Sequence, residues 1–150
     1  MEAEIRGMVA GDAEAVTALM RAFYASPAVA SDGSEEIFQS DITHCVGDCP
    51  YVEGYVFCEG AAVFGYAMVA KSFSTEFGKP CIWLEELYVA PAFRARGLGG
   101  RFLALLERTY PDAVIRLEVE AENLGAVGLY QRHGFTFLPY REMKKDLLLL

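Results

Sequence analysis

Cys81 to Glu107, CIWLEELYVAPAFRARGLGGRFLALLE, constrains the fold more than any other stretch of the chain. Ile82, Trp83, Leu87, Tyr88 and Val89 give its first part the branched and aromatic content of a buried strand, which Pro91 ends. Arg94 to Gly100 then supplies glycines and arginines ahead of Leu98, Phe102, Leu105 and Leu106 at helical spacing. A helix beginning on such a loop presents unsatisfied N–H donors and the positive end of its dipole, and glycine permits close approach. The stretch therefore predicts an anion site made of main-chain amides, suited to a diphosphate.

Two phosphate motifs fail here. No Lys followed by Ser or Thr comes after the glycines, as a P-loop would need, and Phe102 stands where the third glycine of a dinucleotide fingerprint belongs, although Glu118 and Glu120 lie where a ribose-binding acid would be wanted. What the loop does match is [R/Q]-x-x-G-x-[G/A], as Arg94-Ala95-Arg96-Gly97-Leu98-Gly99 directly after Leu87-Tyr88-Val89-Ala90-Pro91. This resembles the acyl-CoA loop of the GNAT superfamily of N-acetyltransferases. Asn123-x-x-Ala126-x-x-Leu129-Tyr130-x-x-x-Gly134-Phe135 resembles the second motif of the same superfamily, at its usual distance.

The resemblance implies acetyl-CoA as co-substrate and no metal. Arg94, Ala95, Arg96, Gly97, Leu98, Gly99 and Gly100 would then hold the cofactor, together with Asn123 and Ala126. A main-chain N–H around Leu87, Tyr88 and Val89 would polarise the thioester carbonyl. Tyr130 would hand its phenolic proton to the departing sulfur, the alternative being a helix tyrosine packed in the core. Asn123 has two readings that are compatible, as a helix cap and as a partner of the pantetheine arm.

Composition sets the outer bounds. A chain of 150 residues that is 53% hydrophobic and 13% aromatic folds around a core of its own, as one domain. The formal net charge of −8 argues against nucleic acid as a partner and suits a cationic substrate, though acidity also serves plain solubility. No apolar run approaches a membrane span and the amino terminus is charged, so cytoplasm is the expected compartment. Cys45, Cys49, Cys58 and Cys81 are read as free thiols; His44-Cys45-x-x-x-Cys49 lacks the second cluster that zinc would require.

Along the chain, residues 2 to 8 suggest an edge strand and Asp12 the N-cap of a helix reaching Tyr24. Ser34-Glu35-Glu36 starts a second helix. Tyr51–Glu59 and Ala61–Phe73, divided by Gly60, form a hairpin; after the central helix come a strand at Ala113–Val119, a helix at Asn123–His133 and a closing strand pair from Phe135. The fold class is α+β: a GNAT-like, mostly antiparallel sheet of six to seven strands flanked by about four helices, with splayed parallel central strands.

Acetyl transfer to an amine needs the amine neutral. A primary alkylamine is neutral in roughly one molecule per few thousand at pH 7, a penalty of about 4 to 5 kcal/mol that a nearby base must offset. Glu85 and Glu86 sit together in an otherwise apolar strand, where parity sends adjacent side chains to opposite faces, so only one is expected to face the slot. An acid inside a strand is either functional or a solvent-facing pair at a strand end. The run Trp83-Leu84-Glu85-Glu86-Leu87-Tyr88-Val89 resembles the diamine (spermidine/spermine-type) acetyltransferases in particular, as does Phe64-Gly65-Tyr66-Ala67-Met68, and that likeness assigns the amine to Glu85.

The expected acceptor is thus a primary amine of a small, polyamine-like molecule, attacked directly in a ternary complex. A protein or peptide amine acetyltransferase, and a non-catalytic acyl-CoA sensor, are the alternatives. One departure touches the acceptor, because Ala22-Phe23-Tyr24-Ala25-Ser26-Pro27 carries no acid where the diamine family has one. The tail Lys144-Lys145-Asp146-Leu147 to Leu150 reads as a last strand or as an exchanged contact within a homodimer.

Overall fold

The computed structural model describes residues 2–148. Its strands are β1 (Glu4–Gly7), β2 (Val52–Glu59), β3 (Ala62–Ser74), β4 (Lys79–Val89) and β5 (Val114–Leu117), and its helices α1 (Ala13–Tyr24), α2 (Glu35–Val46), α3 (Leu98–Thr109) and α4 (Leu124–Arg132). The strands lie in sequence order in one sheet, antiparallel except where β5 joins β4 in parallel. No helix of the described residues is long and apolar enough to cross a membrane.

Local chemistry explains most element ends. Ser34 accepts the N–H of Ile37 at 3.1 Å and so caps α2, and Gly60 turns the β2–β3 hairpin at φ +59°. Asp12 corrects its expected role. It does not cap α1 but accepts the N–H of Val9 at 2.9 Å and pairs with Arg6 at 2.8 Å, fixing a short 3-10 turn that leads into α1.

Two cores lie on the two faces of the sheet. Val16 and Met20 of α1 and Phe38 and Ile42 of α2 pack on Val56, Tyr66 and Met68. On the opposite face Leu98, Phe102, Leu103 and Leu106 of α3 pack on Phe57, Ala67, Val69, Ile82 and Leu84, with Leu129 and Tyr130 of α4 at the margin. Each such fully buried side chain stabilises by about 1.5–3 kcal/mol.

The expected closing strand pair is absent among the described residues, leaving five strands rather than six or seven. From Thr136 the chain contains Pro139, which removes a ladder donor, and the charged run Arg141-Glu142 and Lys144-Lys145-Asp146. Tyr140 anchors it instead by donating to Glu76 at 2.7 Å. Of the tail leucines, Leu149 and Leu150 lie outside the described residues.

Candidate active site

β4 is bonded to β5 only from Cys81 to Leu84, opposite Val114 to Leu117. From Glu85 to Val89 its β5-facing edge has no strand beside it among the described residues, so the parallel strands part and open a slot beside Leu87, Tyr88 and Val89. Beyond the slot the chain passes a 3-10 turn at Pro91–Phe93 and enters the loop before α3.

That loop is shaped for an anion by its backbone. Ala95 is held at φ +63°, a left-handed conformation costing a non-glycine residue about 1–2 kcal/mol, and Gly97 follows at φ +74°. Such a sequence turns successive N–H groups into one concavity. The first helical bond of α3 is from the N–H of Arg101 to Gly97 O at 3.0 Å, which leaves the amides of Leu98, Gly99 and Gly100 without a partner inside the helix.

The three glycines have different reasons, although one reason was expected for all. Gly97 is glycine for its φ, with open space where a Cβ would stand. At Gly99 a Cβ would meet Leu129 Cδ2 at 2.8 Å, and at Gly100 it would meet His133 Nε2 at 2.8 Å. Those two glycines let α4 close on the first turn of α3. The arginines also turn away from the concavity: Arg94 donates to Val89 O at 2.7 Å and stacks on Tyr88, while Arg96 lies 3.6 Å from Glu59 and over Phe93.

On α4, Asn123 caps the helix by accepting the N–H of Ala126 at 3.3 Å. Tyr130 is half-buried, edge-on to Phe135 at 5.7 Å, and burial pushes its phenol up to about 12. It is therefore protonated at neutral pH and has a proton to give. No hydrogen bond ties its hydroxyl among the described residues.

The acid pair corrects the parity expectation. Met68 faces Glu86 across the β3–β4 ladder but Val69 faces Leu84, so Glu85 is one extra residue, a β-bulge. Leu84 and Leu87 consequently reach the same core, against α3, where strict alternation would separate them. Glu86 thus faces the α1–α2 side, where it meets Tyr24 and Tyr66, and the exposed Glu85 on the bulge stays close enough to Tyr24 and Asp41 to be felt there.

Glu86 is buried and receives the hydroxyls of Tyr66 at 2.6 Å and Tyr24 at 3.1 Å. Burial raises its carboxyl, the two tyrosine hydrogen bonds oppose that, and Asp41 and Glu85 add to the rise. Glu85 is open to solvent on one side but crowded by protein on the other; this desolvation, with Glu142 and Asp41, raises it too. Nearby, Glu118 is pushed up to about 7, chiefly by its hydrogen bond with Glu142 and then by desolvation.

Asp41 is the residue that sequence reasoning missed. It occupies α2 between the inward-facing Phe38 and Cys45, and its charge is felt at Tyr24, Tyr66, Glu85 and Glu86. An acid three residues after one core position and four before another was the available signal. Tyr24, in the stretch noted for lacking an acid, reaches Glu86 with its hydroxyl instead.

The profile of the Acetyltransferase (GNAT) family matches residues 14–135. The chain belongs to this family. It is 33% identical over 79 residues to the thialysine N-epsilon-acetyltransferase of Bos taurus, a match spanning 51% of this chain and 46% of that protein, about half the relative's length. Among solved structures it resembles a possible acetyltransferase from Clostridium difficile 630, with TM-score 0.78 and 15% identity over 98% of this chain and 99% of the other. An aminoglycoside N-acetyltransferase, AAC(6')-Iy, solved in complex with CoA, superposes with TM-score 0.78 at 17% identity, covering 97% of this chain and 95% of that one. These likenesses speak for the fold.

Proposed function

We propose that the chain is an acetyl-CoA-dependent N-acetyltransferase acting on a primary amine of a small, polyamine-like acceptor. The observation that carries this reading is the convergence on one strand segment, Glu85 to Val89, of an open slot edge, an amide concavity beyond it and an acid pair at a bulge. The relative named for a thialysine amine, matched over 79 residues, supports an amine acceptor.

The residues present fit acetyl-CoA. The amides of Ala95 to Gly100 would hold its diphosphate, the free edge of β4 would pair with its pantetheine arm, and Asn123 and Ala126 would border that arm. When bound, the cofactor supplies an activated acetyl group as a thioester. An N–H of Leu87, Tyr88 or Val89 donates to the carbonyl oxygen, Tyr130 gives its proton to the sulfur, and Glu85, directly or through water, takes the proton that the amine must lose.

Glu86 holds Tyr24 and Tyr66 in place, and Asp41 adds negative charge where a second cationic group of the acceptor would lie. Because acetyl-CoA is a cytoplasmic metabolite, that compartment is the proposed one. The exposed Phe137, Leu138, Tyr140 and Met143 of the tail, together with β5 as the last strand of the sheet, favour a homodimer, which light scattering on the purified chain tests.

Thiol release from acetyl-CoA against diamines, aminoglycosides, amino acids and peptides tests the function. Turnover is expected to be fastest with small diamines. Release with peptides alone would move the assignment to a protein acetyltransferase, and CoA binding without release for any amine would leave only the sensor reading.

A further inference from the structure

The exposed His133 ends α4 at its C-cap, and its side chain lies against the first turn of α3: a Cβ on Gly100 would stand 2.8 Å from Nε2 and 3.0 Å from Cε1. Gly100 contributes one of the free amides of the anion concavity. The imidazole therefore borders the same site from the opposite helix, and glycine at position 100 is what leaves room for it.

Other side-chain donors near the loop are engaged elsewhere. Arg94 is bonded to Val89 O, Arg96 faces Glu59, and Arg101 donates to Ala3 O at 2.9 Å. The His133 ring has no hydrogen-bond partner among the described residues, while its backbone N–H goes to Leu129 O and Tyr130 O. An imidazole N–H beside a row of unsatisfied amides adds a side-chain donor from which a diphosphate oxygen can accept.

We propose that His133 is a side-chain ligand of the cofactor diphosphate, completing from α4 a cradle whose other donors are the main-chain amides of Ala95 to Gly100. This rests on the acetyl-CoA reading above. It assigns to the two helices, which Leu129 and Gly99 lock together, a joint hold on one anion. The order of α4 against α3 and the affinity for CoA become linked properties.

Calorimetric titration with CoA, dephospho-CoA and S-acetylpantetheine tests it by direct binding. His133→Ala should weaken CoA about tenfold, the loss expected of one hydrogen bond to a charged group. Dephospho-CoA should suffer equally, because it keeps the diphosphate, and S-acetylpantetheine should bind as to the wild type. His133→Gln, which keeps a donor, should recover part of the loss. Gly100→Ala displaces the ring and should weaken CoA in the wild type but add little on top of His133→Ala.

Gly97→Val separates this inference from the reading beneath it. If Gly97→Val weakens CoA and His133→Ala leaves all three affinities unchanged, His133 is no ligand and the amide cradle stands alone. A loss in His133→Ala confined to CoA and absent with dephospho-CoA would assign the ring to the 3′-phosphate and overturn the proposal. Wild-type CoA affinity in Gly97→Val would remove the diphosphate from this loop, and the role of His133 with it.

Discussion

The two sides of β4 are built from different materials. Toward α3 and α4 the candidate cofactor side is mostly main chain: free amides, an unpaired strand edge, glycines fixed by φ or by helix packing. Toward α1 and α2 the candidate acceptor side is all side chain: Glu85, Glu86, Asp41, Tyr24 and Tyr66, drawn from four elements far apart in sequence. A site of backbone keeps one shape across many sequences, whereas a site of side chains is free to change with the substrate. The difference teaches where specificity resides.

On the cofactor side Tyr130 is the side chain to which we assign the proton transfer, and its removal should have the largest effect. Tyr130→Phe should lower kcat by about 10²-fold while calorimetric affinity for CoA stays near wild type, because only proton transfer is lost. An unchanged kcat would return the residue to its packing against Phe135 and make that side purely a binding surface.

The acid pair sharpens the acceptor side. Glu85→Gln should slow turnover about tenfold at low pH, where neutral amine is scarcest, and recover as pH rises toward the amine's own pKa. Glu86→Gln should act first on stability, costing about 1 kcal/mol as the hydrogen bonds of Tyr66 and Tyr24 are weakened. Its pH signature follows from the raised carboxyl. The native state holds that proton more tightly than the unfolded chain, so wild-type stability falls as pH rises from the ordinary carboxylate value to the raised one, and the variant should lose that slope in melting curves. A pH-dependent rate defect in Glu86→Gln with a normal profile in Glu85→Gln would exchange their roles.

Asp41→Asn should raise KM several-fold for a diamine and barely alter it for a monoamine of equal length, with kcat steady, since exposed or half-buried charge pairs are worth about 1 kcal/mol or less. Equal effects on both acceptors would detach Asp41 from the site. The smallest effect belongs to Glu142→Gln. Glu118 binds its proton up to about 7 in the folded chain, so repulsion within the pair grows from the ordinary carboxylate range to that pH. The variant should melt about 1 °C higher at pH 8 and be indistinguishable at pH 4.5.

What was legible in the sequence divides along the same line. The loop before α3, the cap at Asn123 and the position of Tyr130 are each written in a short run of residues, because backbone geometry is local and glycine announces it. On the acceptor side only the acid pair Glu85-Glu86 was legible. Asp41 belongs to that side only once α2 docks on the sheet, and Tyr24 only once α1 ends beside β4. Period-two reasoning also failed at the bulge, since an extra residue in β4 is defined only against its partner β3. The strands expected after Phe135 failed for a related cause: hydrophobic residues were present, but Pro139 and the lysine pair deny them a ladder.

The bulge at Glu85 also leaves a mark that substitution tolerance would reveal. In an uninterrupted strand, positions that accept only apolar residues recur at every second place, so those following Ile82 and Leu84 would be 86 and 88. Here the beat slips by one, and the intolerant series runs 82, 84, 87, 89. Deleting a single residue at 85 would bring the rhythm back into step, with Glu86 still toward the tyrosines and Leu87 and Val89 still beneath α3, so that only the acid at 85 would be lost. One inserted residue is thus a phase change in the strand, and every side chain after it is tuned to the shifted phase.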